Sequence, residues 1–548
     1  MNQSIYRKWL MEPSEKSLRE LLNKSEGSLT KLVHFYGALV KDGKHRQVWR
    51  VIGPGVDVHV KCNPVLGFRS MARRILRGSK AGLEARRIAE LSRAGINTLE
   101  VLALVEDPGL RGASWIITKS VPHGVPLDSY LLKHGNSLSV DKRVTITKNM
   151  ADLFFAMHQR GYQHTDLHPG NLLVDPSGKS PMLLLDVHDL ARQNPSWHAN
   201  LANLVVLNRW FADRASPHER GRFLRSYLNN FRIAGSICPW SRGSLARLIE
   251  KETLQSKQRL WSNRDGRCVR CNKDFHSFTL IDGPSAGNGF AVTHFPIPAL
   301  NHLPPSLLPD RGTKDFFPGV QLLKRSKSSA VALVEVIMQP QDGQLGFSGG
   351  VVVKDIPPKP WWRRNLSQHS CLRSWVLGHG LRGRFLPTPE PLAVIQRIDG
   401  SWRLVQFAVY DSRPLDVWWL SESHFKIRYE LARRLGYLLN RLHASGSCHR
   451  DLKSANLLVD QHNIVWMVDL VGVTLATPPS ISRRQADIAR LARSALAVGG
   501  VTPGEMLRVL KYYLGGKLNP GWKIITNNIL NMAREKIKRN FKRNRPSG

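Results

Sequence analysis

The 548-residue chain is short of acidic residues, cysteine and long apolar runs. Aspartate and glutamate number 42 against 80 lysines and arginines, a formal charge of +38. Such a surface favours polyanionic partners: phosphorylated sugars or nucleotides, anionic lipid headgroups, or nucleic acid, the last less expected than the others. Only six cysteines occur, mostly isolated, which excludes a disulfide framework and fits a reducing compartment. No run approaches the roughly 20 apolar residues of a membrane-spanning helix, so membrane contact is expected to be peripheral. The opening MNQSIYRKWLMEPSEKS has no apolar secretory core, and the expected location is the cytoplasm, peripheral on the inner membrane face. Apolar residues at 42% and charged residues at 22% exclude a disordered chain.

What is present is a repetition. HQRGYQHTDLHPGNLLVD (158–175) returns as HASGSCHRDLKSANLLVD (443–460). Three further pairs keep the same order: VDVHVKC (56–62) with GVVVKDI (350–356), GINTLEVLALV (95–105) with FLPTPEPLAVI (385–395), and VPHGVPLDSYL (121–131) with VYDSRPLDVWW (409–419). A repeat of domain length predicts tandem domains over 28–255 and 316–515. The Gly/Pro/Asn-rich residues 256–315 are expected to be a linker with little regular structure. Residues 516–548 are expected to form a basic tail, with Ile525, Ile529, Met532 and Ile537 at helical spacing as on a membrane-surface helix.

Each repeat begins with β-branched, strand-like segments, HRQVWRVIGPGVDVHVKC and SSAVALVEVIM, and continues with helical ones. KAGLEARRIAELSRAG puts Leu83, Ile88 and Leu91 on one face. In the second repeat Leu431, Leu435, Leu438, Leu439 and Leu442 form one stripe. The expected class is α+β, a small sheet lobe followed by a helical lobe in each repeat.

The repeated sentence carries the chemistry. Asp166 and Asn171 lie on a loop broken by Pro169 and Gly170, and fifteen residues on an apolar strand ends in Asp186. Repeat two offers Asp451, Asn456 and Asp469. A carboxylate facing a hydroxyl, with an Asn and an Asp to hold Mg²⁺, is the equipment of phosphoryl transfer from ATP. Such a site also needs a strand lysine for the phosphates and a helix glutamate to position it. Lys61 and Glu84 answer in repeat one. Lys354 answers in repeat two, but counting back from the shared Thr98 and Thr388 places Ser374 where the glutamate is due.

These residues, with GSKAGLEARRIAELSRAGINT, SCLRSWVLGHGLRGRFLPTPEPLAV and LLLDVHDLAR, make both halves resemble the lipopolysaccharide kinase (Kdo/WaaP) family of the protein-kinase-like superfamily. The resemblance implies two tandem kinase-like bilobal domains. It implies ATP- and Mg²⁺-dependent phosphorylation of a sugar or glycolipid hydroxyl of the lipopolysaccharide inner core. Asp166 and Asp451 would be the catalytic bases, Lys61 and Lys354 would hold ATP phosphates, and Asn171, Asp186, Asn456 and Asp469 would ligate Mg²⁺. Repeat one is expected to be the active copy, repeat two to be degenerate. A serine/threonine protein kinase and a non-catalytic nucleotide-binding scaffold are the alternatives.

Departures from protein kinases are visible. Val-His and Leu-Val follow the metal Asp in place of Phe-Gly, and neither repeat has an Ala-Pro-Glu segment. No G-x-G-x-x-G occurs, so VIGPGV and DGQLGFSGG stand as candidate nucleotide loops. Cys268 and Cys271 form one C-x-x-C with no second pair. Cys238, His276 or His294 would have to complete a zinc site, and structural thiols are the expected reading. His188 is expected to touch phosphate or make a structural hydrogen bond. Trp361–Trp362 and Trp418–Trp419 are either sugar platforms or packing residues, with packing the stronger expectation.

Overall fold

The computed structural model describes residues 8–13, 15–43, 46–109, 111–178, 180–308, 319–326, 328–340, 346–358, 370–475, 478–516 and 521–543. The chain divides into two compact units, 1–256 and 257–548.

In unit one, six antiparallel strands run in the order Lys8–Met11, Val101–Glu106, Ser114–Lys119, Val56–Asn63, Gln47–Gly53 and Gly37–Lys41. Alternation along Val56–Asn63 turns Val56, Val58 and Val60 into a core shared with Val51, Val105 and Ile117. Leu18, Leu21 and Leu22 of helix Lys16–Lys24 close that core. The sheet lobe therefore starts some twenty residues before the expected boundary at 28, because this helix and the first strand bury apolar side chains in it.

The helical lobe is built around Val140–Gln159. Ser139 caps this helix by accepting from the Lys142 amide, and Met150, Phe154 and Met157 bury one stripe. Helix Pro217–Ile233 starts from a capping box, Ser216 with Glu219, and has Pro217 in its first turn.

Unit two repeats the plan. Its sheet has seven antiparallel strands in the order Phe275–Leu280, Gly287–Val292, Pro391–Arg397, Trp402–Phe407, Phe347–Ile356, Ser329–Met338 and Val320–Ser326. Helix Phe425–Ala444 buries all five leucines of the expected stripe. Removing one such leucine typically costs about 2–5 kcal/mol. Thr502 and Glu505 form a second capping box, with Pro503 following the cap as Pro217 does in unit one.

Two sequence expectations are corrected here. Of the expected linker at 256–315, residues 309–315 lie outside the described set, and residues 256–308 are not irregular. They supply the last turns of helix Arg242–Asp265 and two sheet strands, and Phe295, Ala299, Leu300, Leu303 and Leu307 are buried. A buried ion-pair cluster pins the segment. Arg403 donates twice to Asp355 at 2.8 Å and to Ser285 Oγ at 3.0 Å, and the Leu307 amide donates to Asp355 at 3.0 Å. Burial alone would raise the Asp355 carboxyl, but Arg403 and Arg397 hold it below the ordinary range. The composition read as linker because Gly and Pro mark turns, while the anchoring side chains sit singly between them.

The basic tail is corrected in part. Its residues Trp522–Arg543 form a helix, with Ile529 and Ala533 buried and Ile525 half-buried in the helical core. Of Ile525, Ile529 and Met532 only Met532 is exposed, so this face belongs to the fold. The side chains beyond Glu535, Ile537 among them, lie outside the described residues.

Candidate active site

The strand register fixes which loop overhangs the lysine of each unit. Lys61 pairs with Val48 and Ile116, so it lies at the end of the sheet where strands Gly37–Lys41 and Gln47–Gly53 are joined, and Arg46 stands at that end. VIGPGV makes the turn at the opposite end, where Gly53 pairs with Val56. In unit two Lys354 pairs with Val331, beside the turn joining Ser326 to Ser329. DGQLGFSGG lies at the far end of that hairpin, and its residues 342–345 fall outside the described set. VIGPGV therefore turns away from the lysine, and the described residues of DGQLGFSGG lie at the end of the hairpin away from Lys354. Glycines signal a turn, but only pairing register says which end of the sheet it occupies.

In unit one Lys61 Nζ lies 2.5 Å from Glu84 Oε1, and both side chains are buried. Glu84 stands on helix Lys80–Arg93, which Ser79 caps by accepting from the Gly82 amide. The helix thus presents its carboxylate to the lysine strand.

Asp166 and Asn171 share one loop. Asn171 Nδ2 donates to the Asp166 carbonyl at 2.9 Å, which leaves the amide oxygen on the other branch. The Asp166 carboxylate is exposed and lies 3.8 Å from His168. His164 joins this loop to Asp186: its Nδ1 accepts from the Asp166 amide at 3.2 Å, and its Nε2 is 3.1 Å from the Asp186 carbonyl. Asp186 adopts a left-handed backbone with φ of 55°, and Asp469 matches it at 54°. Aspartate tolerates this region better than most residues, and such strain concentrates at working sites.

The Asp186 carboxylate is held by Arg46 Nη1 at 2.7 Å and by His188 Nδ1 at 2.7 Å. Burial would raise this carboxyl, but the hydrogen bonds from His188 and Arg46 keep it far below the usual carboxylate range. Of the two expectations for His188, the structure shows the hydrogen bond to the carboxylate.

Unit two assembles the corresponding residues differently. Asn456 Nδ2 donates to the Asp451 carbonyl at 2.8 Å, and the Asp451 amide donates to His449 Nδ1 at 3.2 Å, as in unit one. Lys354, however, bonds Asp469 Oδ1 directly at 3.1 Å. Ser374 occupies the facing helix Ser370–Gly383 and is buried. Burial would raise the Asp451 carboxyl, yet Lys453 at 3.0 Å lowers it below its ordinary value.

Three residues were not singled out from sequence. Arg46 is one. The others are Asn203 and Asp487, which anchor the catalytic loops: the His164 amide donates to Asn203 Oδ1 at 3.0 Å, and the His449 amide to Asp487 Oδ2 at 2.8 Å. Each stands seven residues after a serine helix cap, Ser196 or Ser480, and that shared offset is a signal the repeats carried.

Other candidates fall away from this chemistry. Cys268 is buried, which pushes its thiol up to about 12, and it donates to the Asp265 carbonyl. Cys271 meets Ser277 at the surface, and no group of three or more His, Cys, Asp or Glu among the described residues is arranged to hold a metal. Trp418 and Trp419 are buried in the helical core and offer no platform; Trp361 and Trp362 lie outside the described residues. A cavity of about 680 Å³ in the helical lobe of unit one, lined by Met150, Leu204, Leu207, Phe211 and Phe223, contains none of the candidate residues. No helix among the described residues is long and apolar enough to cross a membrane.

A sheet lobe with a strand lysine, followed by a helical lobe carrying an Asp/Asn loop and a second Asp, defines a kinase-like unit, present here twice, with the lysine–glutamate bridge formed in unit one. The model of the lipopolysaccharide kinase (Kdo/WaaP) family matches residues 66–227 and 354–513, more than half of the chain. The chain belongs to that family. The first match starts after Lys61 and the second at Lys354.

Among curated proteins it is similar to the 3-deoxy-D-manno-octulosonic acid kinases of Xylella fastidiosa strains 9a5c and M12. Each is 28% identical over 134 residues, covering 22% of this chain and 47% of the relative, so the chain spans about half the length of those relatives. Among solved structures, WaaP in complex with acyl carrier protein is 18% identical with a TM-score of 0.33, over 45% of this chain and 98% of that one. The bifunctional kinase-methyltransferase WbdD is 19% identical with a TM-score of 0.26, over 38% and 47%.

Proposed function

We propose that the chain is an ATP- and Mg²⁺-dependent kinase that phosphorylates a hydroxyl of a sugar or glycolipid, of lipopolysaccharide inner-core type, and that unit one is the working copy. The observation that carries this reading is the buried Lys61–Glu84 bridge in the unit that also holds Asp166, Asn171 and Asp186. The donor set suits the metal: a carboxylate and an amide oxygen are hard ligands of the kind Mg²⁺ takes. Bound metal-ATP supplies the transferable phosphoryl group and the charge that balances it.

The chain's own residues do the rest. Glu84 orients the Lys61 ammonium toward the phosphate side of the cleft. Asn171 and Asp186 are the oxygen donors that would hold the metal. Asp166, exposed on its loop, accepts the proton of the acceptor hydroxyl, and His164 keeps the two loops in register. The strongly cationic surface suits an acceptor already bearing phosphate.

Transfer of labelled phosphate from ATP tests the reading, with inner-core lipopolysaccharide and a generic protein substrate as parallel acceptors. Label in the glycolipid is expected. Label only in protein would favour the serine/threonine kinase reading, and ATP binding with label in neither acceptor would favour the nucleotide-binding scaffold.

A further inference from the structure

Between the lysine strand and the glutamate helix of unit one lies the helix Gly67–Arg77, GFRSMARRILR. At 100° per residue, Phe68, Met71, Ala72, Ile75 and Leu76 fall on one half of the helix, and Arg73, Arg74 and Arg77 on the other. A surface helix ordinarily turns its apolar stripe to the core. This one is inverted. Phe68 is 78% exposed, Ile75 62% and Leu76 82%, and the preceding Leu66 is exposed as well. It is Arg74 that turns inward, to Glu106 at 3.2 Å and to the Gly112 carbonyl.

We infer that Gly67–Arg77 is an interfacial helix that docks on an anionic lipid bilayer, with Phe68, Ile75 and Leu76 entering the acyl boundary and Arg73 and Arg77 meeting lipid phosphates. Charge selects this occupant. Exposed Arg73 borders the apolar face beside Leu76 and Arg77 stands beyond it, on a chain of net +38, a combination that attracts anionic lipid and repels a second copy of the same surface. The C-terminal helix, the segment whose sequence most resembles a membrane-surface helix, spends Ile529 and Ala533 on its own core. The inference stands apart from the identity of the acceptor, because lipid binding needs no turnover.

The test is co-sedimentation of the full chain with phosphatidylcholine vesicles, with and without phosphatidylglycerol. Binding is expected only with the anionic lipid. Phe68→Ser/Ile75→Ser/Leu76→Ser is expected to weaken it about tenfold or more, and Arg73→Gln/Arg77→Gln to weaken it less and to reduce its salt dependence. Both variants are expected to keep wild-type hydrogen exchange in peptides of the unit-one sheet, which shows that unit one is folded. Wild-type chain that ignores phosphatidylglycerol, or a triple variant that binds vesicles as wild type does, overturns the inference. A triple variant that loses self-association while keeping vesicle binding would assign the face to a second copy.

Discussion

The strand lysines of the two units have different partners. Lys61 is buried against Glu84 at 2.5 Å, and the nearby Asp186 is held by Arg46 and His188. Lys354 has Ser374 on the facing helix and bonds Asp469 itself at 3.1 Å. A lysine held by a helix glutamate stays where phosphates arrive, and its aspartate stays separate from it. A lysine with no such partner takes the aspartate as its counter-ion, and both groups are then spent on each other. The anchoring helices differ in the opposite sense: unit one uses Asn203, unit two the carboxylate of Asp487. The two units thus differ both on the lysine side and in the residue that anchors the Asp/Asn loop.

The largest effect should come from the candidate bases. Asp166→Ala is expected to lower phosphate transfer by about 10²–10⁴-fold, and Asp451→Ala to leave it nearly unchanged. Equal losses from the two would break the comparison and make both units catalytic.

Stability should divide the lysines next. Lys61→Ala strands a buried glutamate and is expected to destabilise unit one by about 3–5 kcal/mol. Lys354→Ala should cost unit two less than about 1 kcal/mol, since the Asp469 side chain is 44% exposed and solvent screens the pair. Hydrogen exchange of peptides from each sheet in the intact chain reads both values.

Acid should act on unit one through His158. This ring is fully buried, with Nδ1 2.8 Å from the Tyr227 hydroxyl, and burial lowers its pKa from 6.5 to about 4. Between those values the unfolded chain takes a proton that the folded chain refuses. Stability is therefore whole above pH 6.5 and falls by about 3 kcal/mol as the pH drops toward 4. Asn203→Asp gives the ring the carboxylate that His443 has in Asp487 at 3.5 Å, and should shrink this loss. Unfolding midpoints between pH 7 and 4 measure it, and an unchanged acid slope in the variant would detach the effect from His158.

The smallest effect sharpens the comparison by reversing it. Ser374→Glu is expected to draw Lys354 from Asp469 and raise the ATP affinity of unit two by about tenfold, read by titration in an Asp166→Ala background. No gain would mean that a helix glutamate alone does not restore the site.

The sequence by itself determined the duplication, the lobe order, and the Asp, Asn and Lys positions of both units, because each rests on local pattern or on comparing one half with the other. Placing Glu84 on a helix after the lysine strand was enough to pair it with Lys61, and counting back from the shared threonines was enough to find Ser374 in the matching place. Only the tertiary structure decided that Phe275–Leu280 and Gly287–Val292 build sheet, that VIGPGV turns at the end of the sheet away from the lysine, and that Lys354 pairs with Asp469. Arg46 meets Asp186 across 140 positions, and Lys354 meets Asp469 across 115. Such pairings depend on strand register and on which carboxylate lies within reach of a buried cation, and short-range periodicity encodes neither.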